Sequence, residues 1–117
     1  MPKWIDEACQ QLTLLPKHPE GVPDDVWVTG WALLDALKDI ADLEALPTPF
    51  ASPIEGGGLQ IEWDLNGRHV EIEFADHEDL VVLWAEGDNA RTTGFPASHV
   101  ERVVGLLKWL LRGGTHG

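Results

Sequence analysis

Apolar residues recur along this chain with two different periods, and the changes of period mark its elements. Trp4, Ala8, Leu12 and Leu15 stand at helical spacing and predict a short helix over 3–15, with Pro2 suited to its first turn. Three prolines and a glycine punctuate 16–23, which reads as a loop. Trp27, Gly30, Trp31, Leu34, Leu37 and Ile40/Ala41 then line one side of a second helix expected from about 25 to 45, with Leu33 widening the stripe. Asp24 offers its N-cap, Asp25 favours its first turn, and Asp35, Asp39 and Asp42 form a solvated face. The prolines of 46–53 exclude helix and central strand, so that stretch is expected to be an extended connector over the surface.

From residue 59 the period shortens to two. Asn66-Gly67 is the pair best suited to a two-residue type I′ turn, where both positions need positive φ. That turn pairs Leu65 with Arg68, and the three outer pairs on the same side, Trp63 with Val70, Ile61 with Ile72 and Leu59 with Phe74, form a continuous apolar face. Leu80 to Ala85 is apolar throughout, so this third strand is covered on both faces or meets a partner. Arg91 to Phe95 reads as a short fourth strand. Ser98 and Glu101 form a capping box for a helix over 99–112, with Val100, Val103, Val104, Leu107, Leu110 and Leu111 as its apolar stripe and Gly113-Gly114 as its stop. The expected fold is α+β and a single domain over 1–117: an antiparallel meander of three to four strands, with two N-terminal helices and one C-terminal helix packed on it. Residues 113–117 are expected to be a disordered tail.

The other face of the hairpin changes the picture. It pairs Asp64 with His69, Glu62 with Glu71 and Gln60 with Glu73. Two glutamates directly opposite each other repel by roughly 0.8 kcal/mol at about 5 Å in water, and by more if partly buried. A sequence selected for stability alone would avoid that pair. The acid is also local: residues 60–90 hold nine acids and one base, Arg68, within a chain of net charge −12. Such a field repels nucleic acid and anionic membrane and favours a basic partner, or serves solubility alone.

The single cysteine, Cys9, allows no internal disulfide and no cysteine pair for zinc, and its apolar-periodic setting fits a small buried hydrophobe. No signal-like segment and no run of 18 apolar residues is present, so a cytoplasmic location is expected. Ser52 precedes a proline, Ser98 serves as a helix cap, and no nucleophile elbow or paired-histidine helix motif occurs, so no catalytic residues and no cofactor are assigned. For a metal, the best set is His69, Glu71 and Glu73 together with Glu62 and Asp64, since i, i+2 spacing puts them on one side of the sheet. The face of a regular hairpin is flat or convex, whereas catalytic metals sit in clefts, so a solvated polar face is the plainer reading.

Gly57 to Trp63, then Gly67-Arg68 and Val70 to Glu73, preceded by the Pro47–Pro53 stretch, resemble a pattern in small uncharacterised bacterial and phage proteins. In these a proline-rich connector leads into Gly-Gly-apolar-x-apolar-Glu-Trp and an acidic hairpin. The resemblance covers roughly residues 46–75 and implies a fold but no activity; the Trp-Asp-Gly-Tyr opening of longer members is missing, and this chain has no tyrosine. The expected function is a small acidic, non-enzymatic module binding a basic protein, such as an antitoxin, an immunity protein or a phage inhibitor of a nucleic-acid-binding host protein. Its expected contacts are Glu62, Asp64, Glu71 and Glu73, with Asp76, Glu78 and Asp79 at the rim. A metal-binding module or metal-dependent enzyme using the same face, and a structural subunit or homodimer joined through strand 80–85 or through Leu106 and Trp109, are the alternatives.

Overall fold

The computed structural model describes residues 3–15, 22, 24–54, 57–74 and 79–112. Most of the proline-punctuated loop, Asp76 and Glu78 in the polar turn, and the 113–117 tail lie outside the described residues. The elements are α1 (Lys3–Leu14), α2 (Asp24–Leu37), a 3₁₀ turn (Ala41–Leu43), β1 (Phe50–Ile54), β2 (Gly58–Leu65), β3 (Arg68–Phe74), β4 (Asp79–Glu86), β5 (Asn89–Pro96) and α3 (Val100–Arg112). The fold is α+β, with a five-stranded antiparallel sheet in the order β1-β2-β3-β4-β5.

The hairpin register is the one its turn dictates. Asn66 and Gly67 take φ of 54° and 79°, and Leu59, Ile61, Trp63 and Leu65 pair with Phe74, Ile72, Val70 and Arg68. Gly87 at φ 60° opens the equally tight β4–β5 turn. The helices cover one side of the sheet. Trp4, Ile5, Ala8 and Leu12 of α1, Leu33, Leu34 and Leu37 of α2, and Val103, Leu107 and Leu110 of α3 are buried with Leu59, Ile61, Trp63, Val70, Ile72, Phe74, Leu80 and Val82. Gly30 lets α2 approach β2, since a Cβ there would lie 2.7 Å from Leu59 Cδ2.

Three expectations need correction. First, the 46–53 connector is β1 over its last four residues. It is an edge strand, which is where a proline is tolerated in a sheet. With it, and with β5 running over Asn89–Pro96 rather than 91–95, the strand count is five instead of three to four. Second, the helix expected to reach residue 45 ends at Leu37. Ile40 is extended (φ −84°, ψ 102°), and the tight turn after it drops Leu43 and Leu46 into the core, where the Leu43 carbonyl accepts the indole N–H of Trp4 at 2.8 Å. Burying those leucines outweighed continuing the helical stripe. Third, at the start of α2 the side-chain bond to the backbone comes from Asp25, whose Oδ1 accepts from Val26 N–H at 2.9 Å.

Candidate functional site

Among the described residues no helix lies on the sheet's second side, which strand alternation defines. Across it run Phe50, Ser52 and Ile54 of β1, Gln60, Glu62 and Asp64 of β2, His69, Glu71 and Glu73 of β3, and Val81, Leu83 and Ala85 of β4. The two-residue turn fixes which of these pairs share ladder hydrogen bonds. Counting back from Leu65 and Arg68, Glu62 and Glu71 form a non-hydrogen-bonded pair, the kind whose Cα atoms approach to about 4.5 Å and whose side chains lie closest. Their side chains retain 25% and 19% exposure, so water screens them only in part.

His69 sits between these carboxylates. Its Nδ1 lies 2.8 Å from Asp64 Oδ1, and its Nε2 lies 3.3 Å from Glu71 Oε1 and 3.7 Å from Glu62 Oε2. A neutral imidazole can donate from one nitrogen only, whereas the imidazolium donates from both, so the charged form fits this setting. Burial alone pulls the His69 pKa down. The hydrogen bonds to Asp64 and Glu71 and the charges of Asp64 and Glu62 outweigh it and hold the pKa above the usual histidine value. A raised folded-state pKa means that this stabilisation is complete below the unfolded value of about 6.5 and is lost as pH rises through the folded value. The stability difference between the wild type and His69→Gln is therefore expected to shrink as pH is raised from about 6 to 9, and chemical denaturation across that range checks it. A constant difference would show that the imidazolium does not brace the glutamates.

Arg68, the one base of the acidic stretch, turns to the opposite side. Its Nε donates to Glu86 Oε2 at 2.8 Å, and its guanidinium stacks 4.4 Å over the Trp109 ring and bonds the Trp109 carbonyl. Arg68 therefore does not neutralise the open face. Val81 is 39% exposed beside Glu73, and Phe50 is 61% exposed beside Glu62, so the acidic column is flanked by apolar side chains.

Of the residues singled out from the sequence, Glu62, Asp64, Glu71 and Glu73 share this face. Asp79 is exposed at the start of β4, opposite Pro96. The set that a metal ion would find within ligand distance is Glu62, His69 and Glu71, whose ligand atoms lie within 4.8 Å of one another. Glu73 lies one pair further along, opposite Gln60. β4 buries Leu80 and Val82 on one side and leaves Leu83 and Ala85 half-covered on the other; flanked by β3 and β5, its backbone has no free edge. Leu106 and Trp109 are both half-buried. Cys9 is half-buried, and burial, then Asp6 and Asp35, push its thiol pKa up, which makes it a poor nucleophile. The position of Phe50 beside Glu62 was hidden in the sequence by the prolines of β1, and that of Val81 and Leu83 beside Glu73 and Glu71 depends on the β3–β4 register.

No family model, no curated protein and no solved structure matches this chain. No helix among the described residues is long and apolar enough to cross a membrane.

Proposed function

We propose that this chain is a small acidic protein-binding module with no catalysis of its own, whose open sheet face engages a basic protein. The observation that carries this reading is the partly desolvated Glu62–Glu71 pair, set at closest cross-strand approach and flanked by exposed Phe50 and Val81. Like charges opposite each other destabilise a hairpin. A cationic partner turns that repulsion into attraction, while the apolar flanks supply area to bury. The chain's overall negative charge steers such a partner into place. The face competes with phosphates for a Lys/Arg patch, which fits an antitoxin, an immunity protein or a phage inhibitor of a nucleic-acid-binding host protein in a cytoplasmic setting.

Glu71→Lys tests the reading at one site. It sets a cation opposite Glu62 but removes the carboxylate that His69 Nε2 meets and places two cations side by side, so the melting temperature is expected to change little while affinity for the basic partner is abolished. Calorimetry and titration check the two halves separately. Unchanged affinity in the folded variant would sink the face as the contact surface.

A second reading rests on Glu62, His69 and Glu71, whose donor atoms suit Mn²⁺ or Zn²⁺. It predicts a rise in melting temperature with either metal that disappears in a His69→Ala/Glu71→Ala variant. Equal shifts in both proteins would exclude it.

A further inference from the structure

The two edges of the sheet are treated differently. On β1 the residues whose backbone faces outward are Ala51 and Pro53. Ala51 N–H donates to Gln11 Oε1 at 2.7 Å, and residue 53 is a proline with no N–H to offer. Gln11 also donates to the Pro49 carbonyl at 2.7 Å, so α1 closes this edge. On β5 the closing pair Glu86–Asn89 of the two-residue turn makes residues 91, 93 and 95 the ones bonded to β4. Ala90, Thr92 and Gly94 therefore aim their N–H and C=O groups outward, and no partner meets them among the described residues. This edge has no lysine, no proline before residue 96 and no bulge, the usual devices against strand pairing.

Beside that edge the helical layer is incomplete. A cleft of about 310 Å³ lies between α3 and the helix-facing side of β4 and β5, lined by Trp84, Thr93, Phe95, Arg102, Gly105 and Leu106. Gly105 sits in the middle of α3, where glycine weakens a helix. No packing among the described residues requires it, since a Cβ built there meets nothing within 4 Å. Its effect is to keep the cleft open. The guanidinium of Arg102 lies 4.4 Å from the Phe95 ring, Arg91 projects to the same side beside Trp84, and neither is in an ion pair among the described residues.

We propose that β5 and this cleft form a strand-accepting groove for an extended partner segment that alternates apolar side chains and places a carboxylate at Arg102. The segment would pair with the outward groups of Ala90, Thr92 and Gly94 and extend the sheet. Every second side chain would enter the cleft against Trp84, Phe95 and Leu106, the mode in which main-chain bonds give affinity and pockets give specificity. Charge selects the occupant. A second copy pairing antiparallel through β5 would add its own Arg91 and Arg102 to the same side of the joined sheet as this chain's pair, and a basic segment would meet the same repulsion. The groove lies on the opposite side of the sheet from the glutamate face, so the two sites stand or fall separately.

The probe is the peptide acetyl-Val-Thr-Val-Thr-Glu-Thr-amide, in which both valines and the glutamate share one side, with a version carrying Lys in place of Glu as its control. In the free protein the amides of Thr92 and Gly94 are expected to exchange rapidly and those of Arg91 and Thr93 slowly. The peptide is expected to slow Thr92 and Gly94 and shift the Trp84 indole signal, and the lysine version to bind at least tenfold more weakly. Gly105→Leu, which fills the cleft while favouring the helix, and Thr92→Pro, which removes one outward N–H, are each expected to weaken peptide binding tenfold or more with the melting transition retained. Glu62→Gln/Glu71→Gln/Glu73→Gln is expected to bind the peptide as the wild type does. Absence of protection at millimolar peptide, equal binding by Gly105→Leu, equal binding of the lysine peptide, or concentration-dependent protection of Thr92 in the free protein would each overturn the proposal; the last would identify a second copy as the occupant.

Discussion

Trp63→Ala is expected to destabilise the protein by about 3–5 kcal/mol, the range for truncating a large aromatic in a packed core. Trp63 is 1% exposed and meets Trp4 edge to face with ring centroids 5.9 Å apart, so it joins the hairpin to α1. For a domain of this size each kcal/mol moves the melting temperature by about 4 °C, so a fall of roughly 12–20 °C is expected by calorimetry. The loss is a large share of the ~5–15 kcal/mol that holds a small domain together. Trp63→Phe is expected to lose clearly less. It keeps a ring at the site and removes an indole N–H that is buried with no hydrogen-bond partner among the described residues. A melting temperature within about 3 °C of the wild type for Trp63→Ala would show that the hairpin is not anchored through this side chain.

The second large effect is on binding. Glu62→Gln/Glu71→Gln/Glu73→Gln keeps the shape of the open face and removes three charges. Partly desolvated charge pairs across an interface contribute more than exposed ones, and losing three is expected to weaken affinity for the basic partner by about 2–4 kcal/mol, a factor of roughly 30–1,000. The salt dependence of binding is expected to flatten, since the screened attraction is what has been removed. Folding is expected to change by no more than about 1 kcal/mol, because two effects oppose each other: the Glu62–Glu71 repulsion disappears, and His69 loses two charged neighbours, Glu62 and Glu71, while keeping Asp64. Affinity and stability thus separate in one protein. A variant that lost binding and stability together would not distinguish the contact surface from the fold.

The hairpin was legible because every level of the sequence agreed. Asn66-Gly67 set the turn, the turn set the register, and the register put Leu59, Ile61 and Trp63 on one side and the acids on the other. The same alternation places Glu62, His69 and Glu71 on one side from the sequence alone. The end of α2 was not legible, because Leu37, Ile40 and Ala41 continue a helical stripe. Only the demand for Leu43 and Leu46 in the core, with the Trp4 indole on the Leu43 carbonyl, reverses the chain there. β1 was hidden by its prolines. Phe50 to Ile54 reads as a connector until an edge position makes Pro53 acceptable, and that position depends on β2 lying beside it and on Gln11 reaching from α1, 40 residues earlier, to Ala51. The free edge of β5 and the cleft at Gly105 depend on sheet order and on where α3 ends up, neither of which a single chain segment encodes.

The most direct test of the central claim is a paired capture from the source cell's lysate, with the wild type and Glu62→Gln/Glu71→Gln/Glu73→Gln immobilised side by side, at low and at high salt, followed by mass spectrometry. The predicted result is a basic protein held by the wild type at low salt, released at high salt and missing from the variant. Equal retention on both columns, retention that ignores salt, or a wild-type column that captures no basic protein would contradict the account.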